Sequence, residues 1–275
     1  MVRLVLLKKI RKKHFLFLIA IIIFLLLFYI CSYLLTGRYY KIESRDKEIK
    51  ETHFDFDDSI EVAGWLRVQG TSLDVPVIYS KGGKVRDYPV TQENYVWLGN
   101  NNKNFQDYIS IFGHNIFNLS NEPKIKSDLF YRFEELMSFI YYDFSKENKY
   151  IQLSLNGKNY LYKIFSTGFL DLENDDHINY YRLDSIGVQE RKSFVKFWKN
   201  NSLYDYSINV NENDKFITLY TCTRFFGPFN DHLFYVTGRL VRVGEFIDNY
   251  KVSKNDNYTE IQTILKGDNE NEEDF

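Results

Sequence analysis

The sequence predicts a mainly β protein with helices, of the α+β class, behind an N-terminal transmembrane helix. Two observations support this prediction. Short runs with strand-like patterns follow one another from about residue 61 onward, with few segments of helical periodicity between them. Near the N-terminus, a long apolar run carries no charge. Many strands combined with two or three helices indicate a β-barrel-like domain.

The apolar run over residues 15–35 is long enough to cross a bilayer as a helix. Lysines and arginines precede it, so the positive-inside rule places residues 1–14 in the cytoplasm and the following chain outside. A cleaved signal peptide is the alternative, but the run is longer than a typical signal-peptide core and no small-x-small site follows it. A lipoprotein signal at Cys31 is disfavoured because Tyr29 and Ile30 are not small. We therefore expect a single-pass protein held in the cell membrane.

The chain divides by composition into five segments. We expect a basic cytoplasmic flank (1–14), a transmembrane anchor (15–35), a charged, helical juxtamembrane stalk (36–60), a folded domain (61–250) and an acidic, disordered tail (251–275). The formal net charge of -2 argues against a nucleic-acid partner.

Within the folded domain, the clearest hairpin signal is Asn156-Gly157, which joins two alternating runs. Pro76 indicates an edge or irregular strand. Helical spacing of apolar residues predicts helices over Ser127–Met137 and Val188–Trp198. The predicted strands are Val62–Val68, Asp74–Tyr79, Tyr108–Phe112, Tyr150–Leu155, Tyr160–Phe165, Lys215–Thr221 and Leu233–Val243.

Cys222 is the single cysteine of the predicted extracytoplasmic part, because Cys31 lies inside the predicted anchor. It therefore has no partner for an intramolecular disulfide there, and is either a buried, inert thiol or one kept for its chemistry. Cys222 follows a strand-like run and precedes a loop that contains Gly227 and Pro228. Reactive groups are common at such strand ends.

A cysteine nucleophile needs a neighbouring base or cation, because a free thiol is mostly protonated at pH 7. His114 is the best candidate, since it also ends a strand-like run. His232 lies near Cys222 in sequence and remains a second candidate. Three further histidines are weaker, because they border the membrane, lie in the stalk or lie in a polar loop: His14, His53 and His177.

Several segments in the expected order resemble class B sortases over roughly residues 55–245. Thr218–Cys222 resembles the TLxTC signature, and Phe112–Asn115 resembles the GHN segment. Gly64–Val77 is similar to the GWIxIxGTxIDYPV opening. Ser127–Phe130 resembles the segment after the histidine, and the helix over Val188–Trp198 resembles the insertion that separates class B from class A.

The resemblance implies an eight-stranded sortase-type β-barrel with transpeptidase activity and no metal or cofactor. Cys222 would attack a backbone carbonyl at the sorting signal of a secreted protein and form a thioester. An amine from a peptidoglycan precursor or a pilin lysine would then resolve the thioester. His114 would give its proton to the leaving amine.

The sequence departs from the sortase pattern at the catalytic arginine. Counting back from Gly238-Arg239-Leu240, the arginine position falls on Leu233, which has no hydrogen bond to donate. Arg224, two residues past Cys222, is the replacement that we predict as oxyanion stabiliser. Arg239 lies too far along the strand and is assigned a structural or surface role.

Tyr220 and Thr221 precede the thiol, and we assign them to substrate binding, with packing as the alternative for Tyr220. Two other functions stay open beside an active sortase. The Leu233 anomaly motivates a catalytically impaired sortase-like binding module. A membrane-tethered sensor is disfavoured, because the short cytoplasmic segment leaves no room for a signalling domain.

Overall fold

A computed structural model describes most of the chain, in two compact units. One unit comprises Met1–Lys41 with Phe246–Asp248, and the other comprises Ile42–Glu245 with Asn249–Phe275. The described residues are 14–15, 17–29, 44–52, 60–80, 95–99, 103–125, 132–173, 187–228, 232–245, 247 and 250–267.

In the first unit, residues 17–29 form a helix, α1, whose large apolar side chains are exposed. No helix among the described residues is both long and apolar enough to cross a membrane. Residues 30–35 of the predicted anchor lie outside the described part of the chain.

The second unit contains a closed barrel of eight strands, which confirms the predicted barrel. The barrel strands are β1 (Ile60–Val68), β2 (Asp74–Ser80), β3 (Val96–Leu98), β4 (Tyr108–Gly113), β5 (Tyr150–Leu155), β6 (Lys158–Asp171), β8 (Phe216–Thr223) and β9 (His232–Leu240). The order around the barrel is β1-β2-β3-β4-β8-β9-β6-β5. The pairs β2/β3 and β4/β8 are parallel, and the other neighbours are antiparallel.

The predicted hairpin is present as β5 and β6. Asn156 has a φ of 52° and Gly157 has a φ of 70°, which is the left-handed pair that a two-residue hairpin turn requires. Pro76 lies opposite Trp65 in the β1/β2 pair, whereas the observed pairing of β2 with β3 begins only at Val77. The missing N–H of the proline can therefore remove a ladder hydrogen bond to β1 at most, and none to β3.

Helices cover parts of the barrel. They are α2 (Asp46–Glu51), a 3₁₀ helix (Arg132–Ile140), α3 (Tyr142–Glu147), α4 (Val188–Asn200) and α5 (Asp256–Gly267). The predicted α4 is confirmed, and α2 lies within the predicted helical stalk. The helix predicted over Ser127–Met137 is, in its described part, the 3₁₀ helix that runs on to Ile140.

The expectation of a disordered tail over residues 251–275 is wrong for residues 252–267. A short strand, β10 (Val252–Lys254), pairs with β7 (Tyr204–Tyr206), and α5 follows it. Tyr258 and Ile261 are buried and three residues apart, so they form a short apolar stripe on one face of the helix. The prediction of disorder rested on the polar composition of the tail and did not take this stripe into account. Residues 268–275 lie outside the described part.

One face of strands β4, β8, β9 and β6 is covered by α4. Phe194 and Trp198 of α4 pack in one cluster with Tyr220 and Tyr235 of the sheet. The other face points into the barrel, where Ile217 and Leu219 are fully buried. As a result, β8 is buried on both faces from Phe216 to Thr221.

Candidate active site

His114 and Cys222 lie side by side at the ends of two adjacent parallel strands. In the β4/β8 pair, Gly113 is opposite Thr221; His114 is the first residue after β4, and Cys222 is the next-to-last residue of β8. The hydroxyl of Thr221 donates a hydrogen bond of 2.9 Å to the carbonyl oxygen of Gly113, which fixes this register at its end. The structure thus brings together the two residues that the sequence predicts as nucleophile and partner.

Cys222 is exposed and forms no disulfide within the described part of the chain. It follows six buried residues of β8 and precedes Thr223, which is buried again, so the strand is open to solvent at Cys222. The exposed thiol is accessible to a substrate. The expectation of a buried thiol is therefore wrong.

The imidazole of His114 is half-buried against an aromatic wall. Its ring centroid lies 4.8 Å from that of Trp97. The Nε2 atom is buried and has no hydrogen-bond partner among the described residues. This burial lowers the pKa of His114, because desolvation disfavours the charged imidazolium. A lower pKa favours the neutral imidazole, which is the form that can accept a proton from a thiol.

Asn115 ties the histidine loop to the strand that carries the thiol. Its Nδ2 donates to the carbonyl oxygen of Cys222 at 2.9 Å and to that of Asn118 at 3.0 Å. Its Oδ1 accepts from the backbone N–H of Asn118 at 3.1 Å. Asn115 appears in the sequence only as one letter of a motif, and its structural task could not be read from the pattern.

Leu233 lies directly opposite Cys222 in the antiparallel β8/β9 pair, so both side chains project to the same face. Leu233 is buried in the apolar cluster under α4. The cross-strand position beside the thiol is therefore aliphatic. His232 pairs with Thr223 instead, so its side chain projects to the opposite face of the sheet from that of Leu233. Its ring packs against Phe226, with ring centroids 4.7 Å apart.

Arg224 is exposed in the loop after β8. Its backbone N–H donates to the carbonyl oxygen of Leu119, in the loop after β4, at 3.2 Å. Arg224 is among the residues that line an open cleft of about 590 Å³, together with Phe225, Phe226 and, from α5, Ile264. The cleft adjoins the loops of both His114 and Cys222 but is not lined by either residue. The geometry thus places Arg224 next to the site.

The predicted substrate contacts of Tyr220 and Thr221 conflict with their burial. Tyr220 has no exposed surface, its hydroxyl is hydrogen-bonded to that of Tyr108 at 2.8 Å, and its ring stacks on Phe112 at 5.1 Å. Thr221 is 1% exposed. A side chain without accessible surface cannot touch a peptide, so both residues shape the strand that carries the thiol.

Arg239 has the structural role that was expected for it. It is 1% exposed and its guanidinium binds Glu245 with an Nη2–Oε1 distance of 2.6 Å. Lys163 also binds Glu245, at 2.9 Å. These cations hold the pKa of Glu245 well below its usual range. Arg239 is thus a buried ion-pair residue.

Replacing Trp97 by alanine should raise the pKa of His114 toward its ordinary value. The indole shields the imidazole, and water in its place would solvate the imidazolium. The measurement is an NMR titration of His114. Trp97→Phe, which keeps an aromatic ring, should shift the pKa less; equal titration curves for all three proteins would show that Trp97 does not cause the shift.

The comparisons with known proteins agree with this architecture. No family model matches the chain. Sortase B of Staphylococcus aureus (strain NCTC 8325 / PS 47) is 22% identical over 197 residues, covering 68% of this chain and 75% of that protein. The crystal structure of Clostridium perfringens sortase B superimposes with a TM-score of 0.55 and 21% identity, covering 72% of this chain and 100% of that one.

A second solved structure, a Staphylococcus aureus sortase B-substrate complex, has a TM-score of 0.55 and 18% identity, over 78% of this chain and 92% of that chain. At such low identity, the structures establish the fold, and the sequence relative points to the same class. The resemblance to class B sortases that the motifs indicate is therefore confirmed, in sequence by a curated relative and in fold by solved structures.

Proposed function

We propose that the chain is a membrane-anchored cysteine transpeptidase of the sortase type. The observation that carries this proposal is the pairing of an exposed thiol, Cys222, with a half-buried imidazole, His114, at the ends of two hydrogen-bonded parallel strands. A nucleophile and a base on neighbouring rigid strands are the minimum that acyl transfer through cysteine requires.

The proposed acylation begins when His114 takes the proton of the Cys222 thiol. The sulfur attacks a peptide carbonyl carbon, and the resulting oxyanion is stabilised by the Arg224 guanidinium. The imidazolium of His114 then gives its proton to the departing amine as the C–N bond breaks, which leaves a thioester on Cys222. In the second half, an acceptor amine attacks the thioester, loses a proton to His114 and releases the thiolate.

The proposed substrate is a secreted protein with a C-terminal sorting signal. The proposed acceptor is an amine of a peptidoglycan precursor or a pilin lysine. The open cleft beside the site, with apolar walls and Arg224 in its lining, is large enough to receive several residues of an extended peptide.

Mass spectrometry of the purified protein incubated with a library of sorting-signal peptides tests the proposal. An acylated Cys222 peptide, together with a released C-terminal fragment, is expected for at least one peptide. A protein that binds a peptide but never forms the adduct would instead support the alternative, a sortase-like binding module. Leu233 opposite the thiol is the feature that favours this alternative.

The proposed topology places residues 1–14 in the cytoplasm and the barrel outside the cell. Protease added to intact protoplasts should then release a fragment that contains the chain beyond about residue 40, since the basic flank is retained inside. Detection by antibodies against the barrel and against an N-terminal tag is the measurement. Full protection of the barrel would reverse the orientation.

A further inference from the structure

A buried carboxylate, Glu134, organises the loop that follows His114. Its Oε1 accepts the backbone N–H groups of Ile116 at 2.7 Å and of Phe117 at 2.8 Å. Its own carbonyl oxygen accepts from Nδ2 of Asn118 at 2.9 Å. Glu134 is fully buried in the first turn of the 3₁₀ helix. One residue thus holds three consecutive positions of this loop.

The same loop reaches the nucleophile through Asn115. Asn118, held by Glu134, exchanges hydrogen bonds with Asn115 in both directions. Asn115 in turn donates to the carbonyl oxygen of Cys222 at 2.9 Å. A continuous set of hydrogen bonds therefore runs from Glu134 to the backbone of the thiol residue and passes the residue next to His114.

The 3₁₀ helix also packs against Gly113, the residue before His114. A Cβ atom added to Gly113 would clash with Cγ of Phe133, so the helix packs directly against the backbone of β4. Phe133 and Glu134 are neighbours on this helix. The helix therefore constrains His114 from both sides, by packing at Gly113 and by hydrogen bonds at Ile116 and Phe117.

Burying a carboxylate carries a desolvation free energy, and the hydrogen bonds of Glu134 offset only part of it. The Oε2 atom of Glu134 is buried and has no hydrogen-bond partner among the described residues. Burial raises the pKa of Glu134, while the two N–H groups that it accepts oppose the rise. An apolar residue of similar size would fill the same space without the desolvation cost, which indicates that Glu134 has a role other than packing.

We propose that Glu134 is a positioning residue for the His114–Cys222 pair, acting through the loop 115–118 and not on the substrate. The proposal rests on the proposed function, because it assumes that the pair performs the chemistry. Loss of both acceptor contacts would release the loop, and a displacement on the order of 1 Å at a reacting group can cost about 10²-fold in rate.

The test compares Glu134→Ala, Glu134→Gln and Glu135→Ala in the full-length protein. Glu135 is the matched control: it is a neighbouring buried carboxylate of the same helix, but it binds the backbone N–H and hydroxyl of Ser72, in the turn between β1 and β2. Thermal unfolding, kcat and KM for a sorting-signal peptide, and the rate at which iodoacetamide alkylates Cys222, followed by peptide mass spectrometry, are measured for each.

We expect Glu134→Ala to lower kcat by about 10²-fold with little change in KM, and to slow alkylation of Cys222 because the imidazole no longer supports the thiolate. Glu134→Gln should recover most of both rates, since an amide oxygen accepts the same two N–H groups. Glu135→Ala should lose stability, because the contacts to Ser72 are removed, but keep both rates. Glu134→Ala with wild-type kcat and alkylation, or Glu135→Ala with the same losses in kcat and alkylation, would overturn the proposal.

The alkylation rates separate this inference from the proposed function. If the wild-type protein turns over no peptide, the proposed function fails, and the alkylation rates alone decide the role of Glu134. A slower rate in Glu134→Ala that Glu134→Gln restores would still support positioning. Equal rates in all variants would contradict it.

Discussion

Replacing Cys222 by alanine should abolish both peptide cleavage and the acyl-enzyme adduct. The thiol is the group that forms the proposed thioester, and no second thiol lies in the predicted extracytoplasmic part to replace it. In acyl-transfer enzymes, loss of the nucleophile costs on the order of 10⁶ in kcat. Cleavage followed by chromatography, and the adduct followed by mass spectrometry, are the two measurements.

The substitution should leave the fold intact, because the Cys222 side chain is exposed and contributes little buried surface. Its backbone carbonyl, which accepts from Asn115, remains in place. Cys31→Ala is the matched control, since it removes the chain's other thiol and should keep full activity. If the Cys222→Ala protein cleaves at the wild-type rate, the mechanism through a thioester is excluded.

The pairing of Cys222 with His114 follows in the sequence from two strand-like runs that end at these residues and from the resemblance to sortases. The fold adds that the two strands are parallel neighbours. Counting along the last strand predicts that Leu233 stands at the arginine position of sortases, and the register adds that Leu233 lies opposite Cys222.

Features that depend on distant contacts could not be predicted. Strand periodicity did not reveal that Tyr220 is buried, because the face that it occupies is covered by α4, which comes from elsewhere in the chain. The task of Glu134 depends on contacts with residues 17 and 18 positions away. For α5, the polar composition outweighed two apolar residues whose burial only the fold supplies.

Arg224→Ala should lower kcat by about 10²–10³-fold, which corresponds to about 3–4 kcal/mol of lost oxyanion stabilisation. The prediction starts from Leu233, which occupies the position opposite the thiol and has no donor to offer. Arg224 follows Cys222 by two residues and lies on the wall of the adjoining cleft. For the guanidinium to act, its side chain must reach the oxyanion that forms at Cys222.

Arg224→Lys should recover only part of the lost rate, because an ammonium group lacks the planar fork of donors. Arg239→Ala is the contrasting variant. It breaks the buried ion pair with Glu245, so it should destabilise the fold by about 3–5 kcal/mol, while kcat of the folded fraction changes little. Circular dichroism measures the folded fraction and thermal stability of each variant, and so distinguishes a loss of stability from a loss of kcat.

The split between kcat and KM tests the role of Arg224. A guanidinium that acts on the oxyanion lowers kcat and kcat/KM together when it is removed, whereas one that only holds the peptide in the cleft raises KM and leaves kcat unchanged. If Arg224→Ala keeps a near-normal kcat while His232→Ala loses it, the oxyanion assignment is wrong. The site would then have to be redrawn on the other face of β9, where His232 lies.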